Sequence, residues 1–247
     1  MPRYFIRMRY NGSAYHGWQI QQNAYSVQQA TNEALSKVFR QHIETTGCGR
    51  TDTGVHAEEF YAHFDTNGHL ENIQGLLGNL AALKLPGIDF REISEVSPQA
   101  HARFDAISRT YEYRITRERN PFLENLAYYV YGHLDTALMN EMAQQLIGRK
   151  DFGAFAKSGT QVKTNICTII EAVWEEKNEL LIFRITADRF LRNMVRAIVG
   201  TLLEAGQGKR KPENLMEVLE SKSRSNAGMS VPACGLFLTK IKYPYLL

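Results

Sequence analysis

Cysteine is scarce in this chain. Its 247 residues hold three, Cys48, Cys167 and Cys234, too widely spaced for a metal motif and odd in number, so they cannot all pair internally. That excludes a disulfide scaffold and a cysteine-built zinc site, and it suits a reducing compartment. Long apolar runs are missing as well: none approaches the roughly 20 residues that a membrane-crossing helix needs. The opening Met1-Pro2-Arg3-Tyr4 lacks the apolar region of a secretory signal, so the expected location is cytoplasmic. Net charge is only +3, and no low-complexity segment interrupts the chain. What is present is ordinary for a globular protein, 44% hydrophobic and 22% charged, enough for one large or two small domains. Basic residues do cluster, at Arg109, Arg114, Arg117 and Arg119, at Arg189, Arg192 and Arg196, and at Lys209, Arg210 and Lys211. Each cluster reads either as a nucleic-acid surface or as a solvated face.

Periodicity divides the chain into two runs of the same order. Residues 3–10 alternate, with Tyr4, Ile6, Met8 and Tyr10 opposite Arg3, Arg7 and Arg9, as in a half-buried strand. Ser26 and Gln29 form a capping box, and Val27, Ala30, Ala34, Val38 and Phe39 make the apolar stripe of the helix that follows. Strands are predicted at 43–47 and 58–65. A second helix carries Ile73, Leu76, Leu77, Leu80 and Leu83 and stops before Pro86, with a strand at 88–96 after it. The second run predicts a strand at 108–116 with Tyr111, Tyr113 and Ile115 on one face, then a helix from an Asp135 cap to Ile147. Strands follow at 167–175 and 180–187, turning at Lys177-Asn178. A helix over 190–205, a short helix started by Pro212 and a strand at 235–242 complete it. Each run reads β-α-β-β-α-β, so the fold class is α+β with two ferredoxin-like subdomains, 1–105 and 106–247. No Pro/Gly/Ser-rich linker marks the boundary near 97–108. Two such halves can set their sheets edge to edge and leave a cleft where they meet.

Residues 47–57, Gly-Cys-Gly-Arg-Thr-Asp-Thr-Gly-Val-His-Ala, hold the densest set of chemically capable side chains. Three glycines within eight residues open backbone conformations closed to other residues. Between them lie Arg50, two threonines and Asp52, with His56 four residues beyond. By itself the stretch reads as a tight structural turn or as a catalytic loop.

The Gly49–Ala57 run resembles the signature of the TruA-type tRNA pseudouridine synthases, and further segments follow in that family's order. Tyr10-Asn11-Gly12-Ser13-Ala14-Tyr15-His16-Gly17-Trp18-Gln19 is similar to its Y-D-G-x-x-[FY]-x-G-W-Q, with Asn11 for the usual Asp, and Val27-Gln28 follows Ser26 where the family has T-V-Q. His101-Ala102-Arg103-Phe104 matches H-A-R-F, and Phe190–Arg196 with Ile198-Val199-Gly200 resembles F-L-x-x-M-V-R-x-I-V-G. Val231-Pro232-Ala233-Cys234-Gly235-Leu236 resembles A-P-x-x-G-L, with Val for the first Ala. The resemblance spans residues 10 to 236. It implies two α/β subdomains with a mixed central sheet and an active site between them. It also implies isomerisation of uridine to pseudouridine at positions 38, 39 and 40 of the tRNA anticodon stem-loop, by a homodimer in which one tRNA contacts both subunits.

That reaction breaks the N1–C1′ bond, turns the uracil and rejoins it through C5. Nothing is oxidised or added, so no cofactor and no metal is expected. It needs an ionised nucleophile, a grip on the detached base and an acceptor for the C5 proton. The resemblance makes Asp52 the nucleophile, adding to C1′ of the ribose or to C6 of the uracil. An enclosed carboxylate tends to protonate unless a cation holds it ionised, and Arg196 is the family-matched cation, with a solvated helix residue as the alternative. On a helix, Arg189, Arg192 and Arg196 would share one face, the first two placed for phosphates or for plain surface. Arg50 matches the residue that helps flip the target nucleotide, or else it buttresses its own loop. Tyr111 offers a ring for the flipped base and a hydroxyl for proton transfer, against the ordinary reading of a core tyrosine, which Tyr113 keeps. Leu236 matches a residue lining the uracil pocket, or it simply packs.

The histidines (His16, His56, His63, His69, His101) show no helical i, i+4 pair, and a zinc reading finds no support. Cys48, between two glycines, needs no role beyond small size. His101 and Arg103 are expected to brace the domain boundary. Trp18 and Gln19 either touch RNA or pack the loop after the first strand. The competing functions are an RNA-binding module without catalysis, a synthase acting on another RNA, and a hydrolase built on Asp52 and His56, for which no water-activating arrangement is evident.

Overall fold

The computed structural model describes residues 1–157, 159 and 163–245. The chain folds into two compact units, Met1–Ile107 with Leu238–Leu247, and Ser108–Phe237. The class is α+β, as the alternating patterns required.

In the first unit, β1 (Arg3–Tyr10) lies antiparallel between β3 (His56–Asp65) and β4 (Ile88–Val96). Ile6 stands opposite both Ala62 and Ile93. The short β2 (Thr46–Gly47) pairs with β3, and the order β4-β1-β3-β2 is that of a ferredoxin-like sheet. Helix α1 (Val27–Phe39) starts where Ser26 accepts a hydrogen bond from the Gln29 backbone N–H at 3.2 Å. The reciprocal half of the capping box is replaced: the Gln29 amide turns to Glu33 at 3.0 Å. Helix α2 (Ile73–Ala82) is capped by Asn72, which accepts from Gly75 N–H.

Two boundaries differ from the sequence pattern, for identifiable reasons. The strand expected at 43–47 shrinks to two residues because side chains of α1 take its backbone groups. Ser36 accepts from Ile43 N–H, Asn32 accepts from Thr45 N–H, and Gln28 donates to the Thr45 carbonyl. Strand β3 begins at His56 rather than residue 58, because the ladder with β1 resumes at Tyr10–Ala57 after a register shift.

The second unit orders its strands β5 (Ser108–Thr116), β9 (Leu180–Ala187), β8 (Ile166–Lys177) and β7 (Gly148–Asp151), all antiparallel neighbours. A two-residue strand, β6 (Tyr128–Tyr129), runs parallel to β5 and makes the sheet mixed. Helices α3 (Thr136–Gln144), α4 (Met194–Gly206) and α5 (Asn214–Ser221) complete it. Strand β7, Gly-Arg-Lys-Asp, lacks hydrophobic alternation because it is a short charged edge, and it stops α3 short of Ile147. The β8–β9 hairpin turns on Asn178 and Glu179, both at positive φ, one residue later than expected. The last strand, β10 (Leu236–Lys242), groups with the first unit from Leu238 and lies beside β3.

The H-A-R-F segment braces the first unit through a histidine cluster. His63, 6% exposed, accepts the Ala102 N–H at Nδ1, 3.1 Å, and its ring meets that of His101 edge-on at 4.6 Å. His101 Nδ1 accepts from Arg103 and Phe104 N–H, and the Tyr243 hydroxyl donates to the Ala102 carbonyl. Burial, then Arg3, then His101 push His63 down to about 4 from 6.5, while Asp65 and Asp105 pull it up. The native ring is therefore neutral at pH values where the unfolded chain takes up a proton. This contribution to stability is whole above about pH 6.5 and is lost on acidification toward about 4. His63→Asn, which keeps an acceptor at the δ position, is expected to flatten the fall of the urea midpoint between those pH values. Parallel curves for wild type and variant would assign that fall to other groups.

Candidate active site

Asp52 stands in the loop between β2 and β3, and the fixed points of that loop lie in the segment from Tyr10 to Trp18. A Cβ on Gly12 would sit 2.0 Å from the Val55 carbonyl oxygen, so only glycine permits this approach. Gly17, at φ 81°, lies against the Thr51–Asp52 peptide, where a Cβ would come 2.5 Å from the Thr51 oxygen. Trp18 N–H donates to that same oxygen at 3.2 Å, and Tyr10 Oη shares a hydrogen with Thr51 Oγ1 at 2.9 Å. Val55 N–H closes a turn onto the Asp52 carbonyl at 3.1 Å, and His56 Nδ1 accepts the Gly12 N–H at 3.1 Å. The carboxylate of Asp52 is thus carried half-buried on a backbone held from residue 51 to residue 56.

Arg50 is exposed, and among the described residues it has no hydrogen-bonding or ionic partner. The buttressing alternative is not what the structure adopts. Trp18 resolves to packing: it is 2% exposed with its ring 4.2 Å from that of Phe60. Gln19 is exposed and donates to the Gln28 side chain. Cys48 is buried, and burial pushes the Cys167 thiol up to about 11. Among the described residues no group of three or more His, Cys, Asp or Glu is placed to hold a metal ion.

The remaining candidates lie in the second unit. Tyr111, 9% exposed, faces the same way as Tyr113 and Ile115, and its ring meets Phe190 edge-on at 5.2 Å. Tyr113 is fully buried and donates to the Pro232 carbonyl at 2.8 Å. Arg196, on the first turn of α4, is held by Val231 twice. Its Nε donates to the Val231 oxygen at 2.8 Å, and its own carbonyl accepts the Val231 N–H. Leu236, buried, follows the turn 233–235.

One expectation is corrected. Arg189 and Arg192 do not share a helix face with Arg196, because α4 starts only at Met194. Asn193 precedes it at φ 67°, a left-handed conformation through which a right-handed helix cannot propagate. Arg189 donates to the Thr164 carbonyl at 3.1 Å, and Arg192 is exposed in the same connection. Sequence reasoning also passed over Tyr10 and Thr51 as supports of the Asp52 loop and Phe190 as the neighbour of Tyr111. Tyr10 fits both the strand alternation and the Tyr10–Gln19 segment, and neither pattern specifies a partner for its hydroxyl.

Known proteins resemble the chain along nearly its whole length. A family model described as tRNA pseudouridine synthase matches residues 142–244. The chain is 48% identical over 247 residues to tRNA pseudouridine synthase A of Bacteroides thetaiotaomicron, covering 99% of this chain and 91% of that one. It is 47% identical over 247 residues to the protein of the same name from Porphyromonas gingivalis, at 99% and 98% coverage. For that of Clostridium acetobutylicum the identity is 38% over 242 residues, at 96% and 98% coverage. Similarity of this extent, carried through both units, places the chain in the tRNA pseudouridine synthase family.

Proposed function

We propose that this protein isomerises uridine to pseudouridine at positions 38, 39 and 40 of the tRNA anticodon stem-loop, with Asp52 as nucleophile and no cofactor. The observation that carries the reading is the bracing of the Asp52 loop. A half-buried carboxylate held by backbone contacts and hydrogen bonds on both sides is preorganised beyond what a connecting loop requires. A protein that only bound RNA would have no use for such an anion near phosphates.

Asp52 adds to C1′ of the ribose or C6 of the uracil as the N1–C1′ bond breaks. The base turns while enclosed, C5 bonds to C1′, Asp52 leaves the carbon it had added to and regains its bonding pair, the C5 proton leaves, and N1 gains a hydrogen. Product and substrate are isomers, so the balance calls for no redox partner or co-substrate. Arg50, exposed and without a hydrogen-bonding or ionic partner among the described residues, serves phosphate binding and extrusion of the nucleotide. Tyr111 supplies the ring and the proton-transfer hydroxyl, Arg196 the cation that the chemistry wants, and Leu236 an apolar wall for uracil. Arg189 and Arg192 meet phosphates. The active protein is a cytoplasmic homodimer with one tRNA on both subunits.

Asp52→Asn keeps the shape and removes the charge. In buffer containing a chelator and nothing else, pseudouridine formation by wild type should proceed, and by this variant fall to background. Binding of tRNA should stay within about tenfold, roughly 1.4 kcal/mol. Substantial turnover by Asp52→Asn would remove the central assignment.

Tyr111 and Tyr113 should fail differently when each is changed to Phe. Tyr113→Phe strips the donor from the Pro232 carbonyl, so its cost appears as about 1 kcal/mol of stability. Tyr111→Phe keeps the ring against Phe190 and should slow turnover by about 10²–10⁴-fold, the usual worth of a general acid–base group. Near-wild-type turnover by Tyr111→Phe would return that residue to the core.

A further inference from the structure

We propose that Tyr10 and His56 are positioning residues for the isomerisation, acting through the loop that carries Asp52. The proposal rests on the reading of Asp52 as nucleophile. Tyr10 ends β1, and His56 begins β3, where the register between the two strands shifts. Ladder bonds are interrupted there, and two side-chain bonds take their place. Tyr10 Oη meets Oγ1 of Thr51, the residue directly before Asp52, at 2.9 Å. His56 Nδ1 accepts Gly12 N–H at 3.1 Å. The stretch 51–56 is therefore tied at each end to one short segment, residues 10–12.

These groups do more than fill volume. Tyr10 is 3% exposed, Thr51 8% and His56 1%, so a hydroxyl or ring nitrogen here must find a partner, and directional partners fix rotation where packing alone would not. The Tyr10 ring already packs against Phe60, with centroids 5.4 Å apart. A phenylalanine would fill that space equally well and would lack the bond to Thr51. A backbone N–H can only donate, so His56 Nδ1 carries no proton and the imidazole acts as acceptor toward Gly12. A nucleophilic carboxylate must meet its carbon in line, and a misplacement of about 1 Å can cost about 10²-fold in rate.

The test uses the full-length protein and unmodified tRNA, with kcat and KM measured well below each variant's thermal midpoint. Tyr10→Phe is expected to lower kcat by about 10- to 100-fold with KM within about twofold. His56→Asn places an acceptor at the δ position and should stay within a few-fold of wild type, about 3-fold by the same reasoning. His56→Gln, whose acceptor lies one bond further out, should lose kcat as Tyr10→Phe does. Tyr243→Phe, which deletes a buried hydroxyl bond to Ala102 in the same unit, is the control and should leave kcat unchanged. Wild-type kcat in folded Tyr10→Phe, losses confined to KM, or equal rates for His56→Asn and His56→Gln would each overturn the proposal. Failure of the underlying reading looks different: Asp52→Asn would then keep its turnover, whatever these variants do.

Discussion

Two residues without side chains let one stretch of backbone lie against another, and the placement of Asp52 depends on that contact. Gly12 meets the Val55 carbonyl and Gly17 the Thr51–Asp52 peptide at separations where no other residue fits. The contact reaches further than the loop. Val27 N–H donates to the Gly17 oxygen and Gln28 N–H to the Trp18 oxygen, so the first turn of α1 spends its otherwise orphaned donors on this same segment. The end of β1, the start of α1 and the Asp52 loop are in this way one hydrogen-bonded piece.

The two units solve a common problem by similar means. Wherever a regular ladder or helix stops, backbone groups lose their partners, and burial makes an unpaired group costly. In the first unit Ser36, Asn32 and Gln28 satisfy the chain before β2. In the second, Thr201 accepts Gly228 N–H, and Arg196 and Val231 satisfy each other. Tyr111 lies within the regular ladder of β5, but Asp52 and the bond of Arg196 to Val231 sit at these irregular places, where side chains rather than repetition set the backbone. Such places can be built to one geometry without disturbing the sheet beside them.

The regular elements were legible because period and punctuation agreed. Strand β4 and strand β5 fall on the residues that the sequence indicated, and Ser26 and Asp135 each cap a helix as expected. What escaped reading was set by contacts distant in sequence. The shortening of β2 follows from side chains on α1, and the polar β7 carries no pattern because an edge needs none. The late start of α4 turns on a single asparagine at positive φ, which no periodicity reveals. At the candidate site, Asp52, Tyr111 and Arg196 were nameable from motifs. The bond between Tyr10 and Thr51 was not, although both residues lie in those motifs, since a hydroxyl pair formed across 41 residues leaves no local signature.

The first unit takes its last strand from the far end of the chain. Ile107 N–H donates to the Lys242 carbonyl, Ile241 N–H to the Glu59 carboxylate, and Tyr245 to Asp105. On the ribosome, all of residues 108–237 must therefore emerge before the unit that began first can finish. At about 5–20 residues per second that interval is on the order of ten seconds, during which β3 has only the two-residue β2 on the side away from β1. The nascent N-terminal half carries in that window an open sheet edge, the kind of surface that makes incomplete chains prone to aggregate. Its closure comes only when β10 arrives.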